Sequence, residues 1–427
     1  MKDMAKRSCN TLKLTSLLLV IFVAGSGCRT EPATVDTAER FQGVFAGAAD
    51  VFIIREDNSL WGAGSNHAGQ LGLGQATRRE LLADGAQGGE PFSGRIYDDT
   101  GAPFSGVRYI AAGEGHSVIL RNDGSLWGAG DSSFGELGLG GGSLSTFTRL
   151  SADGAPISGV SAVSAGNNSS FFISGDNSLW AAGFNNSGEL GLGNQDIQFS
   201  FTRVESAGMN VRAIASGMRH TVLLMNDGTV WVAGNNLNGQ LGLGDTEDRA
   251  YFTELRDAGS GIIAVAAGNY HTVILGNDGS VWAAGSNFWG QLGQPDPGNS
   301  LTLTRLNDAN GNPITNVRQI AARGDMTLLL TAAGSLLLAG NYTDPQAMQD
   351  MVLGDTVPAA SPAFAPLPVE QGAAANLGEI QKIALGYTSI YVIDSNGRLW
   401  AAGSNRYGQL MLAFDTEISP ALTLVNP

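Results

Sequence analysis

The sequence predicts an all-β fold, a seven-bladed β-propeller, on three grounds. A phrase of the form Leu/Val-Trp-x-Ala-Gly recurs along the chain, tight-turn residues precede it, and glycine is abundant (60 of 427 residues) without the three-residue period of collagen. The phrase falls at Trp61, Trp127, Trp180, Trp231, Trp282 and Trp400, with Leu337 in place of Trp in the sixth copy. The intervals run from 51 to 66 residues, so seven units fill residues 41–427.

Each unit has the same internal order. A strand of small residues comes first, as in Ile110-Ala111-Ala112-Gly113 or Val265-Ala266-Ala267-Gly268, and small side chains suit a strand crowded near a central axis. An apolar strand follows, such as Thr221-Val222-Leu223-Leu224. Next, Asn226-Asp227-Gly228, Asn277-Asp278-Gly279, Asn122-Asp123-Gly124 or Ser395-Asn396-Gly397 turns the chain, because Asp-Gly and Asn-Gly supply the positive φ that a tight hairpin needs. The returning strand carries the Trp, so every unit contains an antiparallel hairpin. The sixth unit is the most altered, with Arg323 in place of a glycine and Met351-Val352-Leu353-Gly354 where other units have Gly-Gln-Leu-Gly. A lone hairpin is marginal in water, so the units must bury their faces on one another. An open solenoid would expose its terminal units, and neither the first nor the seventh is a polar cap. Closure into a ring, with the Trp and aliphatic side chains packed against the next blade, is therefore expected.

The N-terminus has the grammar of an export signal. Lys2, Lys6, Arg7 and Lys13 precede an apolar core from Leu17 to Ala24, too short for an ordinary membrane span, and small residues lead to Cys28. The ending Gly25-Ser26-Gly27-Cys28 resembles the lipobox of bacterial lipoproteins, with Gly25 where Leu is usual. The competing reading is plain secretion with cleavage near Ala24 to Ser26. Cys9 and Cys28 are the two cysteines of the chain, so after cleavage before Cys28 no intrachain disulfide can form. This pattern predicts a signal peptide at 1–27, lipidation of Cys28 and a polar tether over 28–40. The expected location is outside the cytoplasm, on the outer membrane or cell surface.

Charge argues against nucleic acid as a partner. Residues 1–27 carry four basic groups and one acidic, so without them the formal net charge of −15 becomes −18. A phosphate backbone needs a Lys/Arg footprint instead.

The pattern A-A-G-x-x-H-T-V-x-L-x-N-D-G-x-V-W-x-A-G-x-N-x-x-G-Q-L-G, clearest from Ala266 to Gly293, resembles the repeat of the regulator of chromosome condensation family. That resemblance implies a seven-bladed propeller over everything after the tether. The eukaryotic founder of the family is a nucleotide exchange factor for a small GTPase on chromatin, but its exchange residues have no positional match here and its basic tail is absent. A secreted bacterial relative works as a binder. Fold alone does not transfer function.

Candidate chemistry is sparse. His116, His220 and His271 share one place in their units, where the others have Asp50, Ser169, Met326 and Ser389. Equivalent places on separate blades lie around a ring and cannot converge, so these are expected to be structural side chains that hydrogen-bond the loop after the glycine. The spacing of His and Cys matches no zinc site, and no metal or organic cofactor is implied. Asp123-Gly124-Ser125-Leu126-Trp127 resembles a sialidase Asp-box but is one residue short, and its turn already explains it. Neither a nucleophile elbow nor a phosphate loop is present.

Specificity should lie where the units differ. One such place is the long connectors, residues 75–106 and 341–378. The other is the pair before each Gly-Gln-Leu-Gly: His67-Ala68, Ser133-Phe134, Asn186-Ser187, Leu237-Asn238, Phe288-Trp289 and Arg406-Tyr407. Symmetry places these pairs on one rim, and aromatic residues and Arg are common interface anchors. His67, Leu237, Phe288, Trp289, Arg406 and Tyr407 are the expected partner-binding residues. The reading is a non-enzymatic, lipid-anchored propeller that binds a protein or another macromolecule. An envelope enzyme acting on glycan or peptide, a structural surface protein, and an exchange factor are the alternatives.

Overall fold

The structure is a computed structural model, and it describes residues 40–74, 93–208, 210–259, 261–341, 361–370, 376–412 and 416–425. The signal peptide, Cys28, the tether up to residue 39, and Met351 to Gly354 lie outside these residues.

Seven four-stranded antiparallel sheets follow one another along the chain, each with its strands in simple sequence order. The first blade comprises Phe41–Ala46, Asp50–Arg55, Leu60–Gly64 and Ser93–Arg95. The second comprises Val107–Ala112, His116–Arg121, Leu126–Gly130 and Leu144–Arg149; the third, Ala162–Ala165, Ser169–Ile173, Leu179–Gly183 and Gln198–Arg203. The fourth comprises Val211–Ser216, His220–Met225, Val230–Gly234 and Arg249–Glu254; the fifth, Ile262–Ala267, His271–Gly276, Val281–Gly285 and Ser300–Arg305. The sixth comprises Val317–Arg323, Asp325–Thr331, Leu336–Asn341 and Ser361–Pro366; the seventh, Ile380–Leu385, Ser389–Asp394, Leu399–Ser404 and Ile418–Leu424. The long connectors of the first and sixth units contain their outermost strands. The innermost strand of every blade touches that of the next, and the seventh touches the first, which makes the array a closed seven-bladed propeller.

The second strand of each blade shows why the ring must close. In the third blade Phe172 packs toward the second blade, with Val118 and Leu120, while Phe171 and Ile173 pack toward the fourth, with Val211 and Leu223. Successive side chains of a strand point to opposite faces, and here both faces are buried, so the strand is apolar throughout. Outer strands complete each interface. Phe147 of the second blade lies among Phe52, Leu60 and Leu71 of the first, and its ring occupies the place a side chain would take at Gly72, the last residue of Gly69-Gln70-Leu71-Gly72. Phe201, Phe252 and Phe364 fill the same place at Gly138, Gly191 and Gly293. The closing glycine of the motif is thus the socket for the next blade.

The Trp residues pack at the blade boundaries as expected, though only Trp400 is fully buried; Trp61, Trp127, Trp180, Trp231 and Trp282 are half-buried against clusters shared with a neighbouring blade. Their indole N–H groups also serve the preceding turn. Trp127 Nε1 donates to Ser125 Oγ at 3.1 Å, and Ser125 donates to Asp123 Oδ1 at 2.6 Å, with the same chain at Trp61, Trp180, Trp231 and Trp282. A polar indole edge that can reach a hydroxyl is better placed at the blade margin than in the core.

The ring closes without strand exchange, since the first and seventh blades are each built from one continuous stretch. Phe41, Val44, Val51 and Ile53 bury against Tyr391, Ile393, Leu399 and Val425, and the backbone N–H of Phe41 donates to Gly397 O at 2.7 Å. Replacing Phe147 by Ala should cost about 3–5 kcal/mol in urea unfolding of the whole chain, through lost burial and the cavity left between blades. Replacing the exposed Leu237 by Ala should change it by no more than about 0.5 kcal/mol.

Candidate interaction rim and axial mouth

Each Gly-Gln-Leu-Gly loop joins the third strand to the fourth and is fixed by two side chains of its own. In the fifth blade Asn287 Oδ1 accepts the N–H of Leu292 at 2.9 Å, and Gln291 Oε1 accepts the N–H of Trp289 at 2.9 Å. The first, fourth and seventh blades repeat this with Asn66/Gln70, Asn236/Gln240 and Asn405/Gln409. Glu136 and Glu189 replace the Gln in the second and third blades, accepting from Phe134 and Ser187, and burial pushes both carboxyls up to about 7. The second variable residue and the closing Leu therefore have their N–H groups held by side chains of the loop, with the first variable residue at the tip.

The tips lie on one face of the ring. Leu237 is 70% exposed, Phe288 68% and Tyr407 41%, while His67 and Arg406 are also exposed. Trp289 is half-buried, packed edge-on to Phe288 with ring centres 5.0 Å apart. Phe134 packs edge-on to Phe184 at 5.2 Å, and Ser187 is buried. The expected anchor residues are thus on one rim, though they are spread over separate blades and do not form one cluster.

The same face holds the loops between first and second strands, which meet at the axis. Arg323, the substitute for a glycine, reaches across the ring from the sixth blade and donates to Ala112 O at 2.6 Å and Gly113 O at 3.0 Å in the second. Its guanidinium lies 5.3 Å from the ring centre of Tyr387 in the seventh blade, whose hydroxyl donates to Asn167 of the third. Asn167 Nδ2 in turn donates to Glu114 Oε2 at 3.1 Å. The space among these groups is about 10 Å³. Sequence reading singled out Arg323 only as a worn position. An arginine where a repeat otherwise has glycine was the available signal, while Tyr387 and Asn167 carried none.

The histidines do not bond the loop after the glycine. His116 Nε2 meets Ser170 Oγ at 2.9 Å, His220 Nε2 meets Thr272 Oγ1 at 3.1 Å, and His271 Nε2 meets Thr327 Oγ1 at 3.0 Å, each across the boundary to the next blade. Thr272 and Thr327 donate onward to the carbonyls of Gln240 and Gln291 at 2.7 Å. Their oxygens must therefore accept from the imidazole, so Nε2 carries a proton in His220 and His271, and burial favours the neutral ring. The expected loop contact was wrong because the ring folds over its own glycine and points sideways, into the neighbour. Among the described residues no three His, Cys, Asp or Glu side chains form a metal-binding group.

Burial pushes His116 and His220 down to about 4 and His271 to about 3, from an ordinary value of 6.5. A lowered folded-state pKa means that the unfolded chain binds more protons below pH 6.5. The stabilisation from each ring is therefore present above pH 6.5 and is lost as pH falls through the folded value. Between pH 6.5 and pH 3 the chain should lose more unfolding free energy than its His271→Gln variant, which keeps a donor but cannot titrate. Urea unfolding of both at several pH values checks this.

The comparisons agree with this architecture. A model described as the regulator of chromosome condensation (RCC1) repeat matches residues 176–224 and 227–275, and a second model of the same description matches 107–136, 211–240, 262–291 and 380–409. The chain is 28% identical over 323 residues to the ultraviolet-B receptor UVR8 of Arabidopsis thaliana, covering 73% of this chain and 68% of that protein. It is 31% identical over 235 residues to the secretion-regulating guanine nucleotide exchange factor of Bos taurus, covering 54% of this chain and 49% of that one. The chain thus spans about half the length of the latter. Among solved structures, human WBSCR16 superposes with a TM-score of 0.68 at 19% identity, covering 86% of this chain and 94% of that one. Prp20p of Saccharomyces cerevisiae gives 0.67 at 19%, covering 91% and 88%. Repeat matches and blade geometry together place this chain in the regulator of chromosome condensation (RCC1) repeat family.

Proposed function

We propose that this chain is a non-catalytic propeller that binds a protein partner through the rim of loop tips. The observation that carries the reading is the pairing of rigid loops with solvent-exposed apolar tips, above all Leu237 and Phe288. A side chain held in place before contact loses little conformational freedom on binding, and a large apolar group excludes water from the contact. The filled axial mouth supports the same reading: its 10 Å³ is far below the roughly 300 Å³ at which small-molecule sites begin. Among proteins of similar fold, Prp20p has binding properties toward Gsp1p and histones. Export of this chain, which is part of the same proposal, would give it a partner of another kind, met outside the cytoplasm.

The location belongs to the same proposal: export through residues 1–27, lipidation at Cys28 and display of the propeller on the tether 28–40. Metabolic labelling with a fatty-acid analogue should tag the intact chain and fail to tag Cys28→Ala. Labelling of both, or of neither, would remove the anchor.

The partner is sought by capture on the full chain from envelope and extracellular fractions, then purified and titrated. Its affinity for the Leu237→Ala, Phe288→Ala double variant should fall at least tenfold, about 1.4 kcal/mol, with no change in melting temperature. Equal affinity for both would take the contact off the rim. Turnover of a glycan or peptide that a single carboxylate substitution abolishes would make the protein an enzyme instead.

A further inference from the structure

A second site lies on the outer wall, between the third and fourth blades and apart from the rim tips. It is a depression of about 250 Å³, walled by Leu192 and Tyr251 and bordered by Asn194, Gln198, Arg203 and Glu205. Its defining feature is a departure from the repeat. The residue that bridges to the preceding blade's loop is Thr146, Ser200 and Thr302 in the second, third and fifth blades, but Tyr251 in the fourth. The Tyr251 ring lies against Gly193, in the place a side chain there would occupy, whereas the matching Gly74 and Gly244 meet only a threonine methyl at 3.8 Å. One side of the ring thus rests on backbone, yet the residue is 61% exposed. It is a fixed aromatic platform open to solvent.

The polar border is held by the protein itself. Gln198 Oε1 accepts from Thr202 Oγ1 at 3.2 Å and its Nε2 donates to Asp196 O at 3.0 Å. Asn194 Oδ1 accepts from Asn185 Nδ2 and from the N–H of Asp196, both at 3.1 Å. Arg203 Nε lies 3.6 Å from Glu205 Oε1, which makes the border neutral in sum. Amides held in place, with an exposed guanidinium–carboxylate pair beside an aromatic ring, suit a ligand with hydroxyls along its edge and C–H groups on its face. The paired arginine disfavours a simple anion, and the site lacks the deep apolar socket that anchors a peptide side chain. The volume is a little below the roughly 300–1,000 Å³ of drug-sized sites, which suits a short ligand.

We propose that this depression binds a neutral saccharide, with one pyranose ring stacked on Tyr251 and its hydroxyls hydrogen-bonded by Asn194, Gln198, Arg203 and Glu205. The site shares the third blade's rim loop through Leu192 and Asn194, but none of the six expected anchor residues lines it, and it does not depend on the partner proposed for the rim.

The test uses the full chain and the methyl glycosides of glucose, galactose, mannose and N-acetylglucosamine, titrated by ligand-observed NMR. At least one should bind saturably, with a dissociation constant on the order of 1 mM. Tyr251→Ala and Arg203→Ala should each weaken it at least tenfold, Tyr251→Phe should stay within about threefold because the platform survives, and Phe288→Ala should leave it unchanged. Both residues are exposed enough for the variants to fold, and their melting curves verify that. Failure of all four sugars to bind up to about 50 mM would overturn the proposal, as would undiminished binding to Tyr251→Ala.

Discussion

The rest of the structure depends on the boundary between neighbouring blades, where a buried hydrogen-bond chain joins three parts of the repeat. In the fifth-to-sixth boundary His271 donates to Thr327, and Thr327 donates to the carbonyl of Gln291. Gln291 belongs to the rim loop, and its side chain holds the backbone of Trp289 at the loop tip. One continuous network therefore runs from the start of the second strand, across the blade boundary, to the tip that faces solvent. Each bond contributes only about 0.5–1.5 kcal/mol net, but leaving any member unpaired in this dry setting would cost more. The fourth-to-fifth boundary repeats the set with His220, Thr272 and Gln240, and at both boundaries the rim inherits its rigidity from the core.

Boundaries where the repeat departs show the same constraint from the other side. Between the sixth and seventh blades Met326 replaces His and Ile390 replaces the hydroxyl residue, and both are fully buried in one apolar cluster. Changing both members keeps the interface satisfied, since two apolar groups need no partner. Between the first and second blades only one member changed. Asp50 takes the histidine place, and neither its carboxyl oxygens nor the hydroxyl of Ser117, which takes the acceptor place, has a hydrogen-bond partner. Burial pushes the Asp50 carboxyl up to about 7, against the pull of Arg323. Among the described residues the first boundary thus carries three unpartnered buried oxygens, and it adjoins the closure between first and seventh blades.

Much of the fold was legible because the repeat is written in physical terms. Small residues mark the inner strand, an unbroken apolar run marks a strand buried on both faces, and Asp-Gly or Asn-Gly marks the hairpin. The places that were misread or not foreseen are those where a side chain acts on a neighbouring unit, since a repeat read one unit at a time hides such contacts. The histidine bond and the Phe147 ring seated on Gly72 belong to this class. The rim could be placed by symmetry alone, because every tip follows the same loop. The axial contact of Arg323 could not, because it joins the sixth blade to the second and no periodic reading brings those together.

That axial contact also bears on where this propeller can act. A ring of seven blades leaves a mouth where the inner loops converge, and such a mouth is the natural place for a small-molecule site. Here Arg323 spans the mouth through one guanidinium nitrogen and Tyr387 covers the guanidinium, so the volume at the axis is spent on the protein itself. Arg323 stays within the strand pairing of its own blade, and it joins opposite sides of a ring that no exchanged strand closes. Rigidity at the axis then leaves the variable residues of the face to the tips, and those of the wall to the outer strands. Both are surfaces suited to contact with something larger than the mouth could admit, or shallower than a catalytic cleft would require.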